Sequence, residues 1–261
     1  MMWNTLKATL WQAKRISFLY IGFGYILFSQ LMMILPDYSD LMTGSDLAGM
    51  TAESLNIFLP ILIGWNTALI CGSDLGDKTA NYELLFGKKR SEVYFGRFLA
   101  ALLINLVLIA VYVPVFPLIG TILNGWGGSM TTSAAGMFYV SIFPILFRLV
   151  CVYTFITFLA MNATVPAAVS FIGTILCLLS TILLQEVDKK FRLTWQLAST
   201  DLMRLLDVSN TTKGFFEGHD ITVYKTTITG SMMLESLAAS VVIGIAVLVL
   251  GFAVFRKRDV M

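Results

Sequence analysis

One stretch of this sequence has the residue types of a nucleotide site, glycines followed by a lysine and a threonine. It reads Gly72-Ser73-Asp74-Leu75-Gly76-Asp77-Lys78-Thr79. A phosphate-binding loop needs Gly, four residues and then Gly-Lys-Ser/Thr, so that backbone amides and the lysine converge on the phosphates. Here Asp77 separates Gly76 from Lys78 and would place a carboxylate beside the phosphates. The spacing argues against an ATP site in this chain, so the energy for any work would come from elsewhere.

The other side chains that commonly do chemistry are few and scattered. His219 is the single histidine, and one histidine cannot build a His-rich zinc site or a serine–histidine relay. Cys71, Cys151 and Cys177 lack the spacing of a metal site, and we expect them to be small buried apolar residues. We therefore predict no catalytic residue, no metal site and no cofactor in the chain itself, and a solvated His219.

The densest group of charges lies between two apolar stretches, from Asp74 to Arg97. Apolar residues recur within it near helical spacing, until Gly87 interrupts the pattern. This predicts a short helix along the membrane, with one face on the protein and the other free to dock a soluble partner. The alternative is a basic stop signal without a partner. Acidic residues have little influence on membrane topology, so the acids of this loop favour specific pairing with a partner. The recurring apolar residues are Leu75, Tyr82, Leu85, Phe86 and Val93.

Six apolar stretches decide the fold class. The chain is 57% apolar and only 13% charged. No soluble fold of 261 residues could bury six such apolar stretches in one core. Each stretch is close to the 20 helical residues that cross a bilayer, and in lipid the backbone must satisfy its own hydrogen bonds. We predict an all-α integral membrane protein in which residues 1–261 form one transmembrane domain. Its spans are 16–35, 56–73, 98–120, 134–160, 166–184 and 231–255.

Lysine and arginine placement predicts the orientation. The N-terminal tail, the 74–97 loop and the C-terminal tail are rich in Lys and Arg, whereas the loop 36–55 has acids and neither of them. By the positive-inside rule, both termini lie in the cytoplasm of a multi-pass plasma-membrane protein. The net charge of +2 gives no reason to expect a nucleic-acid partner.

Two amphipathic segments lie outside the spans, one before span one and one between spans five and six. Residues 1–15 place Trp3, Leu6, Leu10 and Trp11 near helical spacing, which predicts a helix on the inner membrane surface in contact with lipid. The alternative is an ordinary frayed leader before the first span. Before span six, a second apolar face predicts outer amphipathic helices that lie at the membrane surface or dip into its interface. Its principal members are Phe191, Trp195 and Leu202.

Two charges fall inside predicted spans. Arg148 lies midway along span four, where an arginine costs about 2.5–3.5 kcal/mol on insertion scales. It could line a substrate path, or it could be a structural residue bonded to backbone carbonyls. Glu235 lies about one turn into span six and fits the membrane interface as well as a path.

The inner end of span two and the following loop resemble those of a known family. The resemblance rests on Asp77-Lys78-Thr79, Glu83-Leu84-Leu85-Phe86, Arg90-Ser91, Tyr94-Phe95-Gly96-Arg97 and the tail Phe255-Arg256-Lys257-Arg258-Asp259. In these segments and in its hydropathy layout, the chain resembles type-2 ABC transporter permeases, especially small bacterial ones near the bacitracin-resistance and lantibiotic-immunity groups.

The resemblance implies a half-transporter that pairs with a second permease subunit, identical or different, and with separate cytoplasmic ATPase subunits that hold ATP and Mg. The loop between spans two and three would be the coupling helix, and the outer amphipathic helices before span six would form a gate that caps the exit. The substrate would be an amphipathic peptide antibiotic or a lipid-like compound, exported outward in antibiotic resistance. The alternative is a membrane scaffold or sensor that docks a cytoplasmic protein without transport. The coupling residues implied are Leu75, Asp77, Tyr82, Glu83, Phe86 and Arg90.

Overall fold

The computed structural model describes residues 2–17, 20–24, 27–28, 43–76, 83–127, 131–187, 211–216, 219–223 and 230–257. Side chains in these ranges are described except at 50, 52–54, 56–57, 76, 134, 177–187, 211–223, 230–232 and 235. The helices are α1 (Met2–Ala13), α2 (Gly44–Gly76), α3 (Arg90–Asn124), α4 (Thr132–Ala160), α5 (Thr164–Val187) and α6 (Gly230–Lys257). Residues 20–24 and 83–85 are also helical.

Four helical segments of the described chain are long and apolar enough to cross a membrane. They are Phe58–Leu75, Arg90–Asn124, Ala135–Ala160 and Ser236–Lys257. A shorter apolar stretch, Thr164–Leu176, coincides with the start of predicted span five, and much of predicted span one lies outside the described residues. The helices indicate a membrane protein, as the composition predicts. Four of the six predicted spans have a counterpart among these candidates, and spans one and five stay predictions.

Two helices begin well before the spans predicted within them. Helix α2 begins at Gly44, where the Asp46 carboxylate accepts hydrogen bonds from the Thr43 amide at 3.0 Å and the Thr43 hydroxyl at 2.6 Å. Helix α3 begins at Arg90, where the Glu92 carboxylate accepts a 3.4 Å bond from the Lys89 amide. These caps satisfy amides that a helix start leaves unpaired, so polar residues outside the spans continue the helices.

Helix α4 packs against α2, α3, α5 and α6, so it lies at the centre of the bundle. Only three residues separate its end at Ala160 from the start of α5, and the two helices are in contact, as the short predicted loop requires. Tyr94 of α3, Phe158 of α4 and Phe255 of α6 form a buried aromatic cluster, with the Tyr94–Phe158 ring centroids 4.7 Å apart. Packing of these rings fixes the C-terminal end of α6 against α3 and α4.

Backbone contacts define two opposite ends of the bundle. At one end, the Gly44 amide donates to the Gly125 carbonyl at 2.9 Å, and Asp46 carries a negative charge there. At the other end, Arg90 contacts the C-terminus of α6, and Gly96 of α3 lies against Thr5 of α1. We call this second end the basic end, because α1, the segment 83–97 and the end of α6 bring their lysines and arginines together there. The sequence predicts that these basic segments share one side of the membrane, and the contacts of Arg90 with α6 and of Gly96 with α1 agree with that prediction.

A two-stranded antiparallel hairpin precedes α6. Strand β1 (Thr211–Phe216) pairs with β2 (His219–Val223), with a register shift between Thr212 and Phe215. The sequence analysis predicted no strands here. The β-branched threonines, isoleucine and valine of this segment favour extended backbone, which explains the difference.

Candidate functional site

Arg97 joins the elements that meet at the basic end. Its side chain is only 3% exposed, although it sits within the first two turns of α3. The guanidinium donates to the Cys71 carbonyl near the end of α2 at 3.0 Å, and to the carboxylates of Asp74 at 3.4 Å and Glu83 at 3.3 Å. A planar group with five donors can serve three acceptors at once, so one residue ties α2, α3 and the segment between them together.

Glu83 is shared between two cations. One carboxylate oxygen accepts from Arg97, and the other accepts from the Lys88 ammonium at 2.8 Å. The two side chains of the Glu83–Lys88 pair are about a quarter to a third exposed, so solvent weakens this pair more than the buried Arg97 contacts. Glu83 therefore holds the start of the segment 83–88 on Arg97, and it holds the end of the segment through Lys88.

The backbone of Glu83–Lys88, which we call the docking turn, closes as a Schellman motif. The Lys88 amide donates to the Glu83 carbonyl and the Gly87 amide to the Leu84 carbonyl, both at 3.1 Å. Gly87 has φ of +84°, a conformation that an L side chain adopts only at a cost. This geometry explains why the helical pattern of the sequence stops at Gly87.

The docking turn presents two large apolar side chains to its surroundings. Leu85 is 79% exposed and Phe86 is 85% exposed. Many other exposed apolar residues lie along the candidate spans, where lipid would cover them, but this pair projects from a charged turn between α2 and α3. An apolar pair held on a rigid, charged base has the anatomy of a contact site for a partner groove.

Arg90 connects the start of α3 to the end of α6. Its guanidinium donates to the Arg256 carbonyl at 2.8 Å and to the Phe255 carbonyl at 3.1 Å. The last carbonyls of a helix lack intrahelical partners and carry the negative end of the helix dipole, so a guanidinium stabilises them. The Tyr94 hydroxyl adds a second link, donating to the Leu248 carbonyl at 3.1 Å. These contacts connect α3, which follows the docking turn, to α6.

The residues proposed for coupling do not all lie on the docking turn. Glu83 and Phe86 are on it, Arg90 begins α3, and Leu75 is buried at the end of α2. Asp77 and Tyr82 lie outside the described residues. The sequence analysis did not single out Arg97. A signal for its pair with Asp74 was present, because Asp74 directly follows predicted span two and Arg97 directly precedes span three, which places the acid and the cation at the same depth.

The other predicted site residues are placed only in part. Arg148 is buried on α4, and its Cα lies 3.5 Å from the position of a Cβ added at Gly244 of α6. The Glu235 side chain lies outside the described set, so their relation stays a prediction. The proposed gate residues Phe191, Trp195 and Leu202 also lie outside the described residues.

A buried polar cluster links α2 and α3 within the candidate spans. The Asn66 amide donates to the Asn105 side-chain carbonyl at 3.1 Å, and the Asn105 amide donates to Thr67 at 3.4 Å and to the Ala101 carbonyl at 2.9 Å. Interhelical bonds of this kind hold membrane helices in register. The cluster keeps α2 and α3, the two helices that flank the docking turn, in a defined alignment.

Comparison with known proteins identifies a family. Residues 10–261 match the family described as "Protein of unknown function (DUF2705)". No curated protein matches the sequence. Because the family match covers nearly the whole chain, the chain belongs to the DUF2705 family.

Proposed function

We propose that this member of a family without an assigned function is the membrane-spanning subunit of an ABC exporter, and that it docks a separate ATPase through the docking turn. The observation that carries the proposal is the exposed Leu85–Phe86 pair on a turn that Arg97 and Glu83 fasten to the bundle. The family resemblance of the same segment adds independent support. ATP and Mg belong to the partner ATPase, and this chain is not an enzyme.

The contacts of the docking turn support a mechanical connection between a bound ATPase and the candidate spans. A partner groove that holds Phe86 moves a turn whose Schellman closure and Glu83 contacts keep it rigid. Arg97 passes that movement to α2 and α3, and Arg90 passes it to the end of α6. Packed helices joined by hydrogen bonds shift as bodies, which suits a tilt of the spans driven by ATP binding and hydrolysis in the partner.

The distribution of charge favours placing the basic end in the cytoplasm. The described side chains of the opposite end include the acid Asp46, whereas the basic end gathers the lysines and arginines of α1, the segment 83–97 and the end of α6. With both termini inside, the docking turn faces the ATPase, and the 185–230 segment faces outward. The exposed apolar faces of α3 and α6 are available to lipid and to a second permease subunit, identical or different.

The substrate class follows from the resemblance alone. Permeases near the bacitracin-resistance and lantibiotic-immunity groups suggest an amphipathic peptide antibiotic or a lipid-like compound, moved outward through spans open to lipid. Arg148 and Glu235 remain proposed contacts of that path, and Phe191, Trp195 and Leu202 remain proposed parts of an outer gate.

The second candidate function is a membrane scaffold or sensor that docks a cytoplasmic protein without transport. The exposed Leu85–Phe86 pair suits that role equally well, because it predicts that a partner docks but does not predict that a substrate is transported. ATP-dependent movement of substrate in vesicles that contain the chain and its ATPase separates the two functions.

The proposal is tested by variants that separate docking from coupling. The proposal predicts that an ATPase is encoded beside the gene. The chain is co-expressed with that ATPase, purified in detergent and assayed for bound ATPase and for ATP hydrolysis. Phe86→Ser is expected to lose most of the bound ATPase, because a large apolar anchor at the centre of a contact typically contributes 2 kcal/mol or more. Arg90→Gln is expected to retain the ATPase but to lose substrate-stimulated hydrolysis.

Lys89→Ala is the matched control, since Lys89 is exposed and adjacent to the docking turn. It is expected to leave both readouts unchanged. Labelling of a Phe86→Cys variant with a membrane-impermeant reagent checks the orientation. Wild-type docking and transport by the Phe86→Ser variant, or labelling from outside intact cells, would overturn the proposal.

A further inference from the structure

An apolar cleft of about 130 Å³ lies between α1, the helical residues 20–24 and α3. The Tyr20 hydroxyl donates to the Lys14 carbonyl at 3.2 Å, so two of the residues that line the cleft are joined directly. Four of its lining side chains are hydrocarbon, and the other two, Lys14 and Tyr20, carry a polar group at the tip. The lining residues are Leu10, Ala13, Lys14, Tyr20, Ile104 and Leu108.

Cations paired with indole rings lie on α1 and directly after it, in the same segment that lines the cleft. Arg15 stacks over the Trp11 ring at 3.5 Å from the ring centroid, and Lys7 lies over the Trp3 ring at 5.4 Å. Both tryptophans are more than half exposed. Exposed indoles paired with cations are typical of helices at the headgroup level of a bilayer.

The charge around the cleft is of one sign. The first 36 residues of the chain contain Lys7, Lys14 and Arg15 and no aspartate or glutamate. Lys14 and Arg15 are exposed, and Lys14 stands at the edge of a hydrocarbon-lined cleft. The ligand complementary to this arrangement has a hydrocarbon tail and an anionic head.

We propose that this cleft binds an anionic phospholipid, with one acyl chain between Leu10 and Ile104 and the phosphate on Lys14 and Arg15. The position of the cleft supports a lipid over a soluble anion, because exposed apolar residues of α3, such as Leu103 and Val107, lie close by in sequence. The inference rests on the membrane location of the helices and does not depend on the docking of an ATPase.

Bound lipid would hold α1 against α3, since the cleft is lined by residues of both helices. Direct packing between them is close: a Cβ at Gly96 would lie 2.9 Å from the Thr5 methyl carbon. A lipid that fills the adjacent cleft therefore stabilises the same interface, and its binding is measurable as a rise in the unfolding temperature.

The test uses the purified full chain in a neutral detergent, with phosphatidylglycerol or phosphatidylcholine added. Native mass spectrometry counts bound lipid, and thermal unfolding reports stabilisation. We expect the wild type to retain phosphatidylglycerol in preference to phosphatidylcholine. Lys14→Gln is expected to lower that preference about fivefold, the factor equivalent to roughly 1 kcal/mol per basic residue at a membrane surface.

Two pairs of variants provide the controls. Lys257→Gln removes an exposed charge from the same end of the bundle and is expected to leave the preference unchanged. Ile104→Phe narrows the cleft and is expected to reduce retention of both lipids, whereas Leu103→Phe changes an exposed neighbour on α3 and is expected to have no effect. Should Ile104→Phe fail to fold, Leu108→Phe narrows the same cleft.

Inorganic phosphate distinguishes a lipid headgroup from a free anion. At the lipid's concentration, phosphate is expected neither to stabilise the protein nor to displace phosphatidylglycerol. Equal retention of the two lipids, an equal effect of Lys257→Gln and Lys14→Gln, full displacement by phosphate, or retention of detergent alone would each overturn the proposal.

Discussion

Replacement of Arg97 by glutamine tests whether the basic end is held together as its contacts indicate. The change removes one bond to the Cys71 carbonyl and two longer bonds to the carboxylates of Asp74 and Glu83. A bond from a charged donor to a buried carbonyl contributes roughly 1.5–3 kcal/mol. The carboxylates are about a quarter exposed, so each ion pair contributes at most about 1 kcal/mol after solvent screening.

The Arg97→Gln change also removes a cost, because the buried guanidinium no longer has to be desolvated. The freed carboxylates can rehydrate, since they are only partly buried. We therefore expect the free energy of unfolding to fall by about 2–3 kcal/mol. The assay is unfolding by dodecyl sulfate in mixed micelles, followed by far-ultraviolet circular dichroism at several detergent ratios.

Controls separate the guanidinium contacts from general disturbance of α3. Arg97→Lys keeps the charge but offers a single point of contact, so about half of the loss is expected. A double-mutant cycle between Arg97→Gln and Glu83→Gln should give a coupling energy of about 0.5–1 kcal/mol. A loss below about 0.5 kcal/mol for Arg97→Gln, the size typical of a surface change, would refute the reasoning, as would zero coupling to Glu83.

Two further predictions concern the docking turn and the buried polar cluster. Gly87→Ala is expected to weaken the turn by about 1–2 kcal/mol through its positive φ alone, because nothing lies within 4 Å of the added Cβ, and amide exchange at Lys88 should quicken about 5–30-fold. Gly87→Asn should cost less, and unchanged exchange in the alanine variant would contradict the Schellman geometry. Asn105→Leu is expected to destabilise the bundle by about 1–2 kcal/mol in the dodecyl sulfate assay, because it removes the bonds to Asn66 and Thr67. Val107→Leu, at an exposed site on the same helix, should lie within about 0.5 kcal/mol of wild type, and an equal loss in both variants would show that the polar cluster contributes nothing.

Local signals in the sequence predicted several elements well. Apolar runs of span length appear as the candidate spans, and the short segment after Ala160 forms a tight connection between α4 and α5. Gly87 interrupts the helical pattern in the sequence, and in the structure it ends the helical turn because it adopts a positive φ. These outcomes depend on the properties of neighbouring residues, which a sequence displays directly.

Predictions that depended on distant residues were less complete. The segment 74–97 was treated as one loop, but Arg90 and Arg97 belong to α3, and Arg97 is buried. A cation looks solvent-exposed in a sequence until its acceptors are known, and those of Arg97 come from α2 and from the docking turn. The contact of Arg90 with Arg256 joins residues 166 positions apart, which no local pattern reveals.

The sequence by itself determined that this chain is helical, suited to a membrane and polarised in charge, because hydropathy, helix length and the placement of Lys and Arg are additive properties of short segments. Only the tertiary structure decided which charges are buried in the bundle and which apolar side chains remain outside it. Phe86 and Phe255 are both aromatic residues near the ends of apolar helices, yet one is exposed on the docking turn and the other is buried beside Tyr94. The difference arises because burial depends on which helices pack together, and that is a property of the whole chain.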